Sequence, residues 1–335
     1  MCLDRLYWRP WLFEFHDQTW FSPELRQHIQ NLLAFLWTHQ ILPFQTKAPY
    51  VRATAVLERV IEEIEEEDRM YHEDKPLRIV DCCSGAGGPM PAIERTLNAR
   101  RQARSLPPVP VLLSDLHPHT SAWAKHASIS PSGSLSFVSN PVDALRAPQA
   151  IRAKRHLRTF CLSFHHFGES GARAILQDAM ESAEGICIFE LQALDFATFC
   201  MMLCLFPLTF LVTPFVQPSP LVLLLTYGLP VLPAIFVFDG LVSAYRTRTP
   251  QHLSHLATLA TMSASVASAD RNGVGMIDWQ WEFGTETHTW PFGRMRWAVG
   301  RKDRIPRDED DEDDVDVDDL VREDEAEGSG PGMEE

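Results

Sequence analysis

A short apolar segment that ends in a glycine turn and re-enters a helical pattern leaves few folds open, and residues 77–93, LRIVDCCSGAGGPMPAI, have that form. The first N–H groups of such a helix lack intrahelical partners and make a seat for a polar ligand. Gly85, Gly87 and Gly88 permit the turn and let a ligand approach the main chain closely. A P-loop is excluded, because no Gly-Lys-Ser/Thr follows. A dinucleotide loop fits poorly, with Met90 standing where its third glycine belongs. Alone, the turn also admits a purely structural role.

The surroundings narrow the choice. Short apolar strands are predicted at 77–82, 110–115, 135–139, 158–164 and 185–190, and the helix GARAILQDAMESA precedes the last of them. Strands alternating with helices imply a parallel α/β sheet. IDWQWEF and GRMRWAV, within 277–300, alternate aromatic and polar residues and predict an antiparallel hairpin; a helix is expected near Gln251. Upstream, Ser22 and Pro23 open a helix whose Leu25, Ile29, Leu32, Leu33 and Leu36 share one face. A second helix, about 51–69, turns Leu57, Val60, Ile61 and Ile64 inward and its EEIEEED run toward solvent. The expected organisation is a helical cap (1–75), a core (76–193), a hydrophobic insertion (194–245), a helix and hairpin completing the core (246–304) and an acidic tail (305–335).

Two acids follow the next strands. VPVLLSDLHP ends in Asp115, thirty residues after Gly85, and the excess over a usual spacing of about 20 reads as a surface insertion, ARRQARSLPPVP. The next strand, in SLSFVSNPVDA, carries Asp143 just past its end. With D-x-x-S-G-x-G-G, these residues resemble the class I S-adenosylmethionine (SAM)-dependent methyltransferases. The resemblance implies a Rossmann-like α/β sheet, mostly parallel with the last strand antiparallel, and SAM as cofactor. It implies that Asp81, Ser84, Gly85, Ala86, Gly87 and Gly88 contact the methionine part. By the same resemblance Asp115 takes the ribose hydroxyls and Asp143 faces the adenine amine. A cofactor that carries a carboxylate rather than a pyrophosphate needs no lysine in the loop. Glu14 to Phe21 (EF-D--WF), Phe164 to Phe167 (FHHF) and TYGLPVLPAIFVFDGLVSAYRTRTP also resemble a little-characterised methyltransferase-like group of bacteria and fungi, whose substrate supplies no further guide.

In the methyltransferase resemblance the end of the fourth strand faces the methyl group to be transferred. There LSFHHFGES offers His165 and His166, with side-chain chemistry suited to taking a proton near neutral pH. Glu190, ending the fifth strand, is a third candidate on the same crevice. The bland alternative is a satisfied buried histidine and a structural carboxylate. No metal site is expected: Cys82 and Cys83 would point to opposite faces of a strand, and His117 and His119 stand apart from other ligands.

The net charge of −15 belongs to the tail, since 16 acids and one arginine fall between Asp308 and Glu335. The remainder is neutral, so no nucleic-acid footprint is expected. The tail is expected to be disordered, to aid solubility or to bind a basic partner. Seven cysteines in or beside apolar runs argue against a disulfide framework, and the N-terminus lacks the apolar core of a leader peptide. From Phe196 to Phe238 no residue is charged. That stretch predicts membrane insertion or docking, as spans or a re-entrant hairpin, with the catalytic part facing the cytosol; the alternative is a buried lid. The resulting expectation is a SAM-dependent methyltransferase acting at a membrane surface on an apolar small molecule or lipid. Its rivals are a NAD(P)-dependent oxidoreductase and a non-catalytic, membrane-tethered scaffold.

Overall fold

The computed structural model describes residues 12–71, 76–216, 218–272 and 279–303, with backbone alone over 263–272. The acidic tail, Cys2 and the first two residues of the expected hairpin lie outside the described residues. Helix α1 (Pro23–Thr38) starts at Pro23 and buries Leu25, Ile29 and Leu32, and α2 (Pro49–Met70) buries Leu57, Val60, Ile61 and Ile64. Each aliphatic side chain so buried contributes about 1.5–3 kcal/mol. There follow β1 (Arg78–Cys82), α3 (Met90–Ala103), β2 (Val111–Ser114), α4 (Thr120–Ser128), β3 (Leu135–Phe137) and α5 (Gln149–Arg152). The alternation continues through β4 (His156–Cys161), α6 (Glu169–Ser182) and β5 (Gly185–Glu190). The insertion holds α7 (Phe196–Val212), α8 (Pro220–Leu223) and α9 (Val231–Arg246); α10 (Pro250–Asn272), β6 (Trp279–Thr289) and β7 (Gly293–Lys302) close the chain.

One seven-stranded sheet runs in the order β3-β2-β1-β4-β5-β7-β6. Its first five strands are parallel, and β7 is antiparallel to both neighbours. This is a Rossmann-like sheet of the class I methyltransferase type. The strand order reverses between β1 and β4, and open α/β sheets bind ligands beyond the carboxyl ends of the strands at such a point. One face packs on α2 and α3 through Leu57, Ile61, Ile93 and Leu97, the other on α6 and α10 through Ile175, Leu176, Leu256 and Ala260.

Three expectations need correction. The fourth strand stops at Cys161 rather than 164, because Leu162 turns to φ +57° and Phe164–His166 forms a 3-10 turn. The ARRQA segment is the end of α3, not a surface insertion. Its arginines answer the acidic run of α2, which is therefore more than a solvated face: Arg100 pairs with Glu58 at 2.6 Å, Arg101 with Glu65 at 2.7 Å, and Arg104 with Glu62. Arg101 is buried and also donates to the Pro107 carbonyl at 2.7 Å, so that pair is the one fixed in place.

The insertion is neither a free-standing pair of spans nor a fully buried lid. Phe196–Phe215 is long and apolar enough to cross a membrane and only 28% buried, while Pro220–Gly228 and Val231–Arg246 meet at 81°. Its inner face, with Val212, Val222, Leu232 and Phe236, packs on Phe21, Leu25, Ile29 and Leu32. Asp239 and Arg246 of α9 are buried against the segment before α1, since Phe15 and His16 N–H donate to Asp239 at 2.8 and 3.2 Å. The outer face leaves Phe196, Leu211, Phe215, Leu224 and Leu229 exposed.

Candidate functional site

Beyond β1 the chain turns sharply. Cys83 has φ +58°, and Gly85, Gly87 and Gly88 have +51°, +110° and +50°. A left-handed cysteine costs on the order of 1 kcal/mol or more, and such strain gathers at functional sites. A Cβ on Gly87 would lie 3.2 Å from Pro91 and 3.3 Å from His126, so the loop is closed to side chains there. Trp123 of α4 donates from Nε1 to the Gly85 carbonyl at 3.0 Å and holds the loop from the other side.

Of the acids expected around this loop, Asp115 contacts it directly, Asp81 lies just before it, and Asp143 bonds within its own segment instead. Asp115 accepts from Gly85 N–H at 2.8 Å and from His117 N–H at 2.7 Å, so β2 and the glycine loop are fastened by one carboxylate. Asp81 is buried and accepts from Thr159 Oγ1 at 2.8 Å. Ser84 donates to the Asp81 carbonyl at 3.1 Å. Asp143 is exposed, accepts from Leu145 N–H at 2.9 Å, and follows Val142, whose N–H donates to the Asp115 carbonyl at 2.8 Å. Burial pushes the Cys83 thiol well up, and Cys82, Asp115, Asp81 and Asp143 push it further. Carboxylates about a glycine loop suit hydroxyls and a cationic amine, not a phosphate. Ala86 is buried in the same loop. The residues present are chemically compatible with SAM, whose hydroxyls and amines are groups that carboxylates bind.

Burial raises Asp81 to about 7, and Asp115 adds to the rise while Ser84, Thr159 and Cys161 oppose it. In the ligand-free protein this acid holds its proton to higher pH than when unfolded at 3.8, so its contribution to stability falls as pH climbs from about 4 to 7. A bound ammonium reverses the preference. SAM affinity is therefore expected to rise about tenfold per pH unit below 7 and to level off above it, with proton release on binding. Calorimetry in two buffers of different ionisation enthalpy checks this; pH-independent affinity between 5 and 7 would count against Asp81 as the ammonium's partner.

A separate cavity of about 520 Å³ falls within the range of small-molecule sites. Ile29, Leu33 and Leu36 of α1, Met201, Leu205 and Leu208 of α7, and Phe236 of α9 make its apolar walls. Leu162 and His165 after β4, and Leu191 and Gln192 after β5, make its floor. Helix α1 joins the two places, because Gln30 lies 3.6 Å from where a Gly85 Cβ would stand.

His165 is buried on that floor. Its Nδ1 lies 2.9 Å from Glu190 Oε2, and its own N–H donates to Glu190 Oε1 at 3.1 Å. Gln192 Nε2 donates to Glu190 Oε2 at 3.0 Å. Burial, then His166, drives His165 well below its ordinary value; burial raises Glu190 to about 8 against the pull of His166. His166 is half-buried and also lines the cavity, its ring centroid 4.2 Å from that of His165 and its Nδ1 3.2 Å from Asp17 Oδ2. The two histidines thus do different things.

Sequence reasoning missed the residues opposite them. Glu14, His16 and Asp17, from the turn before α1, meet Asp239 and Arg246 of α9 here. Burial alone would lower His16, but Asp239, Asp17 and Glu14 raise it; Asp17 is held below the usual carboxylate range by His166, His16 and Arg246 despite its burial. The available signals were the EF-D pattern and the lone Asp239 that ends the uncharged run.

No protein-family model matches the chain, and no curated protein matches it. Solved structures similar to it include the pyocyanin biosynthetic protein PhzM (13% identity, 68% of this chain and 51% of that one, TM-score 0.36). Another is magnesium protoporphyrin IX methyltransferase from Synechocystis, solved with SAH bound (10% identity, 76% and 86%, TM-score 0.36). A third is the CMeT domain of the citrinin polyketide synthase (13% identity, 86% and 59%, TM-score 0.41). The chain spans about half the length of PhzM. The likeness is one of fold; no substrate follows from it.

Proposed function

We propose that the protein is a SAM-dependent methyltransferase whose acceptor, an apolar small molecule or lipid, enters the cavity beneath the insertion from a membrane surface. One observation carries the reading: Asp115 fastens the glycine loop that Asp81 leads into, with Asp143 following the residue bonded to Asp115, at the strand-order reversal and one strand from an apolar cavity floored by His165. When bound, SAM supplies a methyl group already activated by its sulfonium. The chain's own residues then have to align a nucleophile and exclude water. His165, oriented by Glu190, is the group placed to take the acceptor's proton, and the apolar walls of α1 and α7 shut out solvent. An acceptor of mixed character suits a cavity that is apolar except at this corner.

Incubating the protein with methyl-labelled SAM and total lipid or apolar metabolite extracts tests the reading, with label expected in the organic phase. The membrane part has its own test. Phe215 and Leu224 are exposed at 80% and 56%, outside the core, so lysine at both leaves the fold intact. Losing two apolar side chains worth about 1.5–3 kcal/mol each when buried lowers vesicle affinity at least tenfold. Flotation with phosphatidylcholine vesicles measures it; equal flotation of Phe215→Lys/Leu224→Lys and the parent protein would refute surface docking through this face.

A further inference from the structure

We infer that Glu14, His16, Asp17 and His166 form a binding site for a divalent transition-metal ion, with Zn2+ the best match to the donor set. Each residue offers one ligand atom, and the four atoms lie within 4.8 Å of one another. Four donors about 2.1 Å from a tetrahedral zinc stand about 3.4 Å apart. The separations that share one set of atoms bracket that figure: Glu14 Oε2 to His166 Nδ1 is 3.6 Å and Asp17 Oδ2 to His166 Nδ1 is 3.2 Å. Two imidazoles with two carboxylates are a borderline set that suits zinc better than calcium or magnesium.

Glu14 supplies the independent observation. Its side chain is fully buried, and Oε1 accepts from Arg246 Nη1 at 3.0 Å and from Ser243 Oγ at 3.1 Å. Oε2 accepts no hydrogen bond and lies 3.6 Å from His166 Nδ1, with His16 Nδ1, the nitrogen that Asp239 also meets, 3.6 Å away on the other side. A buried carboxylate oxygen without a partner is costly and calls for an explanation. The charges agree. Glu14 and Asp17 face one guanidinium, Arg246, at 3.0 and 3.2 Å, and Asp239 lies on His16 instead; with the imidazoles neutral, three carboxylates stand beside one guanidinium. The formal balance of −2 is what a dication neutralises. Asp239 Oδ2 holds His16 Nδ1 at 3.1 Å, as outer carboxylates hold ligating imidazoles.

His16, His166 and Asp239 line the cavity, and Glu14 Oε1 is 3.8 Å from His165 Nε2. The ion would therefore occupy the polar corner where an acceptor oxygen comes to rest and lower that oxygen's pKa. This last role rests on the methyltransferase reading; binding of the ion does not.

The full-length protein, stripped with chelator, is titrated with Co2+ alone and followed by its visible d–d absorption. One equivalent is expected to give the bands of a four- or five-coordinate site, and Zn2+ to displace it. Glu14→Gln and, at a half-exposed position less exposed to folding loss, Asp17→Asn should each weaken Co2+ at least thirtyfold. SAM titration of the stripped protein runs in parallel, so that failure of the metal site and failure of the cofactor site are told apart. Absence of the bands at one millimolar Co2+, or equal binding by both variants, would overturn the inference and leave the cluster a hydrogen-bonded network.

Discussion

Asp115→Ala is expected to raise the dissociation constant for SAM by roughly 10²–10⁴ while leaving the protein folded. Two hydrogen bonds from a ribose diol to a charged acceptor are worth about 1.5–3 kcal/mol each, and every 1.4 kcal/mol is tenfold. The variant also strips the acceptor from Gly85 N–H and His117 N–H, which fastens the glycine loop. Because Asp115 is half-buried, water replaces part of that loss, and stability is expected to fall by no more than about 1–3 kcal/mol. Asp115→Asn keeps one acceptor oxygen and should fall between the two. Calorimetric titration and thermal unfolding together check this. Parent-like SAM affinity in a folded Asp115→Ala protein would remove the cofactor assignment.

His165→Ala is expected to lower turnover by roughly 10²–10⁴, the range a positioned general base contributes, with SAM affinity changed less than twofold. Glu190→Gln should act in the same direction but less, because an amide still accepts the His165 N–H that Glu190 Oε1 now takes at 3.1 Å. His166→Ala, by contrast, touches the Asp17 side of the cluster and should leave the His165–Glu190 contact in place. Single-turnover rates at saturating SAM measure the difference. Full activity in His165→Ala would make the pair structural and send the search for a base elsewhere on the cavity floor.

The alternation of short apolar strands with amphipathic helices made the sheet legible, because strand and helix periods are local properties of the chain. β5 was expected at 185–190 and runs Gly185–Glu190, and α2 differs from expectation by a residue or two at each end. Boundaries failed where local backbone geometry decided them. Leu162 in a left-handed turn ended β4 early, and no residue type there announced it. The glycine loop was legible for the same reason as the sheet, with Asp81 near the end of β1 and Asp115 directly after β2, whereas Asp143 lies six residues past the end of β3. The network of Glu14, His16, Asp17, Asp239 and Arg246 was not legible. It joins residues more than 200 positions apart, and only the packing of α9 on the segment before α1 brings them together. The acidic run of α2 misled in the same way, since Arg100, Arg101 and Arg104 approach it from another helix.

The most direct measurement is a calorimetric titration of the full-length protein with SAM, beside NADH and NADPH, at pH 7.5, above the value to which Asp81 is raised. The account predicts saturable binding of one SAM per chain and no heat from either nicotinamide. SAM binding that is absent, or nicotinamide binding that is as tight, would contradict it.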